Sequence, residues 1–152
     1  MMKGKAMWKT EYSANTSADH DALWKLLADA DGWPLWNPGL SSAHLDGPLR
    51  NGATGRTTQA NGRKGNFTVR DLDAGAYFVN EARIPGAVLR FQHRIAAVDQ
   101  ARSRVTLGAS IEGLMAPVWG LVFGRQIASY MPEAVRQLVS RAEAAPPARQ
   151  GG

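Results

Sequence analysis

The hydrophobic and polar positions of this chain change period along its length. From Ala6 to Tyr12 they alternate, with Ala6, Trp8, Thr10 and Tyr12 on one side and Met7, Lys9 and Glu11 on the other, the two-residue period of a half-buried strand. Thr16 and Asp19 have the spacing of a capping box. Leu23, Leu26, Leu27 and Ala30 then recur at helical spacing until Gly32 and Pro34, which predicts a first helix over Ser17 to Ala28. Leu40 to Gly113 reads as short strands separated by turn-forming clusters at Asp46-Gly47-Pro48, Asn51-Gly52, Asn61-Gly62, Asp73-Ala74-Gly75, Ile84-Pro85-Gly86 and Asp99 to Ser103, the punctuation of an antiparallel meander. Both residues of Asn61-Gly62 tolerate positive φ, so this pair predicts a two-residue type I′ hairpin between strands near Ala53 to Ala60 and Arg63 to Leu72.

The two late strands alternate cleanly. Leu89, Phe91, His93 and Ile95 face one way and Arg90, Gln92 and Arg94 the other, and Val105, Leu107, Ala109 and Ile111 repeat the pattern. Closing a hairpin at Asp99 to Ser103 sets Phe91 beside Ala109 and His93 beside Leu107, so both apolar rows share one concave side. After Gly113 the period becomes helical, with Trp119, Phe123, Ile127, Tyr130, Ala134 and Leu138 on one stripe of a long C-terminal helix. Pro117 suits its first turn, whereas Pro132 falls inside and is expected to bend it. One domain over 1–144 and a flexible tail over 145–152 are the expected organisation.

Composition narrows the classes. The 152 residues are 44% hydrophobic and 20% charged, the make-up of an ordinary globular chain with room for one core or a thinner core around a cavity. There is no cysteine, which removes disulfides, thiolate nucleophiles and zinc–thiolate sites. The N-terminal residues lack the apolar run of a signal peptide, and Leu114 to Gly124 is far shorter than the roughly 20 residues of a membrane span, so a cytoplasmic location and no membrane span are expected. The net charge of +5 is spread along the chain rather than clustered, which argues against nucleic-acid binding. Oligomeric state is not legible.

Candidate chemistry is sparse. Trp33 and Trp36 each carry more surface than a short turn easily buries, which fits either the portal of a ligand cavity or a staple holding that turn against the sheet. His93 is the one histidine on an inward row, where an imidazole either contacts a ligand or is satisfied internally. His44 lies on a strand that alternates poorly and could also point inward, while His20 sits in the first helical turn. Tyr12, Asn80 and Tyr130 could supply further polar contacts within apolar rows. Strict two-residue pairing at Asn61-Gly62 would put Arg56 on the face of Phe67, buried for an anion or, in the opposite facing, solvated. Arg90, Arg94 and Arg104 are expected on the outer sheet face. No Gly-x-Ser-x-Gly elbow, His-x-x-x-His pair or phosphate-binding glycine loop occurs, and three scattered histidines make no metal site. No catalytic residue, metal or cofactor is therefore assigned.

Certain stretches carry a resemblance that spans nearly the whole chain. They are Leu23-Trp24-Lys25-Leu26-Leu27-Ala28-Asp29 with Trp33-Pro34-Leu35-Trp36-Asn37-Pro38-Gly39, Leu45-Asp46-Gly47-Pro48-Leu49 with Gly52-Ala53-Thr54-Gly55, Leu89-Arg90-Phe91-Gln92-His93, and Leu107 to Gly113 leading into Leu114 to Pro117. In these the chain resembles the START-like superfamily, which includes Bet v 1, lipid-transfer domains and polyketide cyclase/dehydrase-like proteins. The resemblance implies an α+β helix-grip fold, in which a curved antiparallel sheet of about seven strands wraps a long C-terminal helix, with two short helices after the first strand. It also implies a cavity between sheet and helix, for which the candidate ligand contacts are Trp8, Tyr12, Trp33, Trp36, Phe67, Phe78, Asn80, Leu89, Phe91, His93, Leu107, Ile111, Trp119, Phe123, Ile127 and Tyr130. Three functions stay open: a non-catalytic binder of a hydrophobic or amphipathic small molecule, a cyclase/dehydrase-type enzyme using the same cavity, and a protein-interaction module. Fold alone does not choose among them.

Overall fold

In the computed structural model, which describes residues 7–145, seven antiparallel strands form one sheet in the order β1-β7-β6-β5-β4-β3-β2. They are β1 (Met7–Thr16), β2 (Leu40–Leu45), β3 (Thr54–Gln59), β4 (Lys64–Asp73), β5 (Tyr77–Ile84), β6 (Ala87–Ala97) and β7 (Ser103–Glu112). Helix α1 (His20–Ala28) and a 3-10 turn (Ala30–Leu35) connect β1 to β2. After β7 the chain runs without interruption through α2 (Ala116–Trp119), a π turn (Gly120–Gly124) and α3 (Arg125–Ala144). This is the helix-grip arrangement, with the C-terminal helix held against the concave side of the sheet. Ala6 of the expected first strand and residues 146–152 of the expected tail lie outside the described residues.

The register of the two late strands follows from their alternation. Phe91 is paired with Ala109 and His93 with Leu107. A slip of one residue would turn both apolar rows to solvent, so burial of one face fixes the pairing.

The β3–β4 hairpin differs from the two-residue expectation. The Gln59 N–H donates to the Arg63 carbonyl, leaving Ala60, Asn61 and Gly62 as the loop, and Gly62 alone takes positive φ, at 90°. A glycine in that conformation reverses the chain by itself, which leaves the Asn61 Oδ1 to accept from the Arg63 N–H at 2.9 Å. The extra loop residue shifts the register, so Phe67 faces Gly55 and Arg56 faces Asn66. Arg56 consequently lies on the outer face, 3.5 Å from Asp46.

Helix α1 begins at His20 rather than Ser17, because the Asp19 carboxylate accepts from the Ala22 N–H and caps it. Thr16 has a different task. Its hydroxyl accepts from the Ala18 N–H and donates to Glu143 at 2.6 Å, which ties the end of β1 to the last turn of α3. Buried side chains on α3 recur at Ile127, Met131, Ala134, Val135, Leu138 and Ala142, the apolar stripe of a helix against a sheet. Pro132 lies inside that helix. Trp8 of β1 packs on the π turn, where Gly120 and Gly124 leave room for it, since a Cβ on Gly124 would stand 2.7 Å from its ring. The fully buried side chains include Phe78, Leu23, Leu27, Ile111, Leu138 and Val69. Each stabilises the fold by about 1.5–3 kcal/mol relative to an exposed position.

Candidate functional site

Between the concave face and the C-terminal helix the core does not close. A cavity of about 300 Å³ remains there. Strands β4 to β7 supply Phe67, Asn80, Leu89, Phe91, His93 and Leu107 from their inward rows. The 3-10 turn supplies Trp33 and Trp36, and the helical segment supplies Trp119, Phe123, Tyr130, Met131 and Ala134. Two periodicities thus build one wall: every second residue of the strands, and every third or fourth of the helix.

The inner wall is aromatic. His93, Phe78 and Trp33 form a cluster of near-parallel rings, with His93 4.2 Å from Phe78 at 7° and 5.9 Å from Trp33 at 18°, and Trp33 lies 5.6 Å from Phe67. Trp33 is anchored through its indole N–H, which donates to the Leu27 carbonyl at 2.8 Å. Trp36 is just as buried, yet its Nε1–H has no protein acceptor among the described residues. The Asn80 Oδ1 is likewise buried without a donor. Such groups ordinarily find partners, and each left unpaired costs about 1–3 kcal/mol. Both belong to residues that line the cavity.

Two ionisable groups complete the inner wall. His93 Nδ1–H donates to the Phe78 carbonyl at 3.3 Å, which leaves Nε2 as the acceptor of the neutral ring. Burial pulls the His93 pKa down to about 4, against a smaller upward pull from the Phe78 carbonyl. Burial also pushes the Tyr130 phenol up to about 12. Both side chains are therefore uncharged at neutral pH.

The cavity reaches solvent at one end of the sheet. Exposed Arg63 and Lys64 at the β3–β4 turn and Arg83 at the end of β5 line this rim with Pro85. The helix closes the other side. The Trp119 indole N–H donates to the Pro85 carbonyl at 2.7 Å, and the Arg63 guanidinium sits 4.7 Å over the Phe123 ring.

Eleven of the sixteen expected contacts line the cavity, and Trp8, Tyr12, Phe78, Ile111 and Ile127 do not. Trp8 is spent on the π turn. Tyr12 is exposed beside Arg136 of α3, because β1 is an edge strand whose inward row runs past the helix. Phe78 is covered by His93 and Trp24, and Ile111 and Ile127 pack into the closed part of the core. Of the two readings open for Trp33 and Trp36, portal or staple, the geometry is nearer the second, since both indoles are 2% exposed and stand on the inner wall. His44 points outward between Asp31 and Asp46, and His20 meets the Gly75 carbonyl. Arg63, Lys64 and Arg83 carried no sequence signal, because exposed cations on turns read as solvent contact. Among the described residues no cluster of His, Asp or Glu could hold a metal ion, and no helix is long and apolar enough to cross a membrane.

Solved structures share this fold at low sequence identity. Truncated norcoclaurine synthase from Thalictrum flavum superposes with a TM-score of 0.69 at 10% identity, over 90% of this chain and 93% of that one. A START superfamily protein from Mycobacterium smegmatis gives 0.66 at 11% identity, over 91% and 99%. The di-domain aromatase/cyclase BexL of the BE-7585A biosynthetic pathway gives 0.64 at 22% identity, over 90% of this chain and 46% of the longer protein. No curated protein matches the chain. Residues 7–145 match the sequence model of one family. Fold, cavity and sequence thus converge, and the chain belongs to the polyketide cyclase/dehydrase and lipid transport family.

Proposed function

We propose that this protein binds a hydrophobic or amphipathic small molecule in the cavity between the sheet and the C-terminal helix, as a carrier or sensor. The observation that carries this reading is the cavity itself: about 300 Å³ of space walled by aromatic rings, with Trp36 Nε1 and Asn80 Oδ1 buried and unpartnered on residues that line it. A mostly apolar wall with a few orienting polar groups suits small-molecule binding. Burial of apolar ligand surface, at roughly 25 cal/mol per Å², would supply the affinity. The polar groups would set orientation.

Turnover of a polyketide-like substrate in the same cavity is less well supported. A general acid or base works best with a pKa near the working pH, whereas His93 is at about 4 and Tyr130 at about 12. Docking through the outer sheet has weaker support too. Arg90 there is held by Glu81 and Glu112 at 3.0 Å each, and Arg94 is stacked on Tyr77.

Native mass spectrometry of the purified protein is the test. A noncovalently retained apolar compound is expected in the wild type and should be lost in a folded Phe91→Arg variant. Retention of the same compound by Phe91→Arg would place it elsewhere and defeat the proposal.

A further inference from the structure

We propose that the ligand is an amphipathic anion, with an apolar body in the cavity and an acidic head group held at the rim by Arg63, Lys64 and Arg83. This inference rests on the reading of the cavity as a small-molecule site. Three observations carry it.

The first is the sign of the charges. Arg63, Lys64 and Arg83 are the wall residues that carry charge at neutral pH, and no Asp or Glu belongs to the wall. The second is that these cations are uncompensated. Elsewhere Arg56 meets Asp46, Arg70 and Arg90 meet Glu81, Arg102 meets Asp99 and Arg136 meets Glu133, while Arg94 rests on the Tyr77 ring and Arg104 and Arg141 donate to the Asn15 Oδ1 and the Leu35 carbonyl. Among the described residues neither Arg63, Lys64 nor Arg83 has a carboxylate within ion-pair distance. The third is their common position. The β3–β4 turn and the end of β5 lie at the same end of an antiparallel sheet, beside the Phe123 ring on which Arg63 rests.

The inner wall then fixes which way round the ligand lies. Trp36, Asn80, His93 and Tyr130 offer neutral donors and acceptors but no cation. An anion placed among them would lose its hydration with no countercharge, whereas the wet rim provides three. The acidic group therefore stays outside, and the buried end of the ligand is apolar or carries a neutral polar group.

The experiment is calorimetric titration with an isosteric pair, naphthalene-2-carboxylate and naphthalene-2-carboxamide. In 20 mM salt the carboxylate is expected to bind about tenfold more tightly, the size of advantage that a few exposed charges confer at high dielectric. In 0.5 M NaCl the ratio is expected to fall to about twofold. In the Arg63→Gln, Lys64→Gln and Arg83→Gln triple variant it is expected to fall below threefold at low salt. Equal affinities in the wild type, or a tenfold ratio that survives the triple variant, would overturn the anion proposal while leaving the cavity reading intact. Binding of neither compound would overturn the cavity reading, and this inference with it.

Discussion

His93 lies flat against its cross-strand neighbour Phe78, with ring centres 4.2 Å apart, and donates its Nδ1–H to that residue's carbonyl. The sheet thereby fixes both the plane and the tautomer of the one histidine on the cavity wall. A buried, uncharged ring in this setting contributes polarity without charge, which suits a site that orients a ligand more than one that moves protons.

That burial has a consequence for acid stability. The folded-state pKa of His93 is about 4, against 6.5 for the unperturbed group. Between these values the unfolded chain binds a proton that the native chain excludes, so stability is full above pH 6.5 and is lost as pH falls toward 4. Each pH unit in that window costs about 1.4 kcal/mol, or about 3 kcal/mol in all. Urea denaturation at pH 7 and pH 4 should show a loss smaller by that amount in His93→Gln than in the wild type. Equal losses would mean that His93 is not held neutral by burial.

Asn80 exchanges stability for polarity. Its Oδ1 is buried without a partner, so Asn80→Leu is expected to raise the stability of the free protein by about 1 kcal/mol. The same change should weaken the binding of 6-hydroxynaphthalene-2-carboxylate relative to naphthalene-2-carboxylate, because with the acid at the rim only the hydroxyl at the buried end can donate to the Asn80 Oδ1. A destabilised Asn80→Leu would show that the side chain has a structural role in the free state.

Tyr130 is held in place by a glycine. A Cβ on Gly39 would stand 2.6 Å from the Tyr130 ring, which lies on the cavity wall and would have to shift to accommodate it. Gly39→Ala is expected to lower stability by about 1–3 kcal/mol and to reduce naphthalene-2-carboxamide affinity together. Thermal unfolding and calorimetry read the two effects, and an unchanged value in both would refute the contact.

Much of this architecture is legible in the chain, and the exceptions have physical causes. Strand β6 alternates from Leu89 to Ile95 and β7 from Val105 to Ile111, so burial of one face sets Phe91 against Ala109 and His93 against Leu107. The β3–β4 hairpin was harder, because Asn-Gly serves both a two-residue turn and a loop with glycine alone at positive φ, and the difference moves Arg56 to the opposite face. Periodicity placed Trp8, Tyr12, Ile111 and Ile127 on inward rows. It could not say where along a row the core stops being solid, because that depends on how Trp8 fills the π turn and how the helix crosses the sheet. Trp33 and Trp36 were conspicuous by size, yet their different fates depend on one hydrogen bond, from Trp33 to the Leu27 carbonyl, that no pattern reveals. The cationic rim is assembled from separate turns, each unremarkable alone.

The five indole N–H groups offer the most direct test of binding between sheet and helix. Trp36 has a free N–H on the wall, Trp33 and Trp119 line the cavity with theirs engaged, and Trp8 and Trp24 lie outside it. In 1H–15N spectra recorded during titration with naphthalene-2-carboxylate, the Trp36 indole resonance is predicted to move most, while those of Trp8 and Trp24 stay in place. A stationary Trp36 resonance at saturation, or shifts of Trp8 and Trp24 as large as its own, would contradict a ligand site in this cavity.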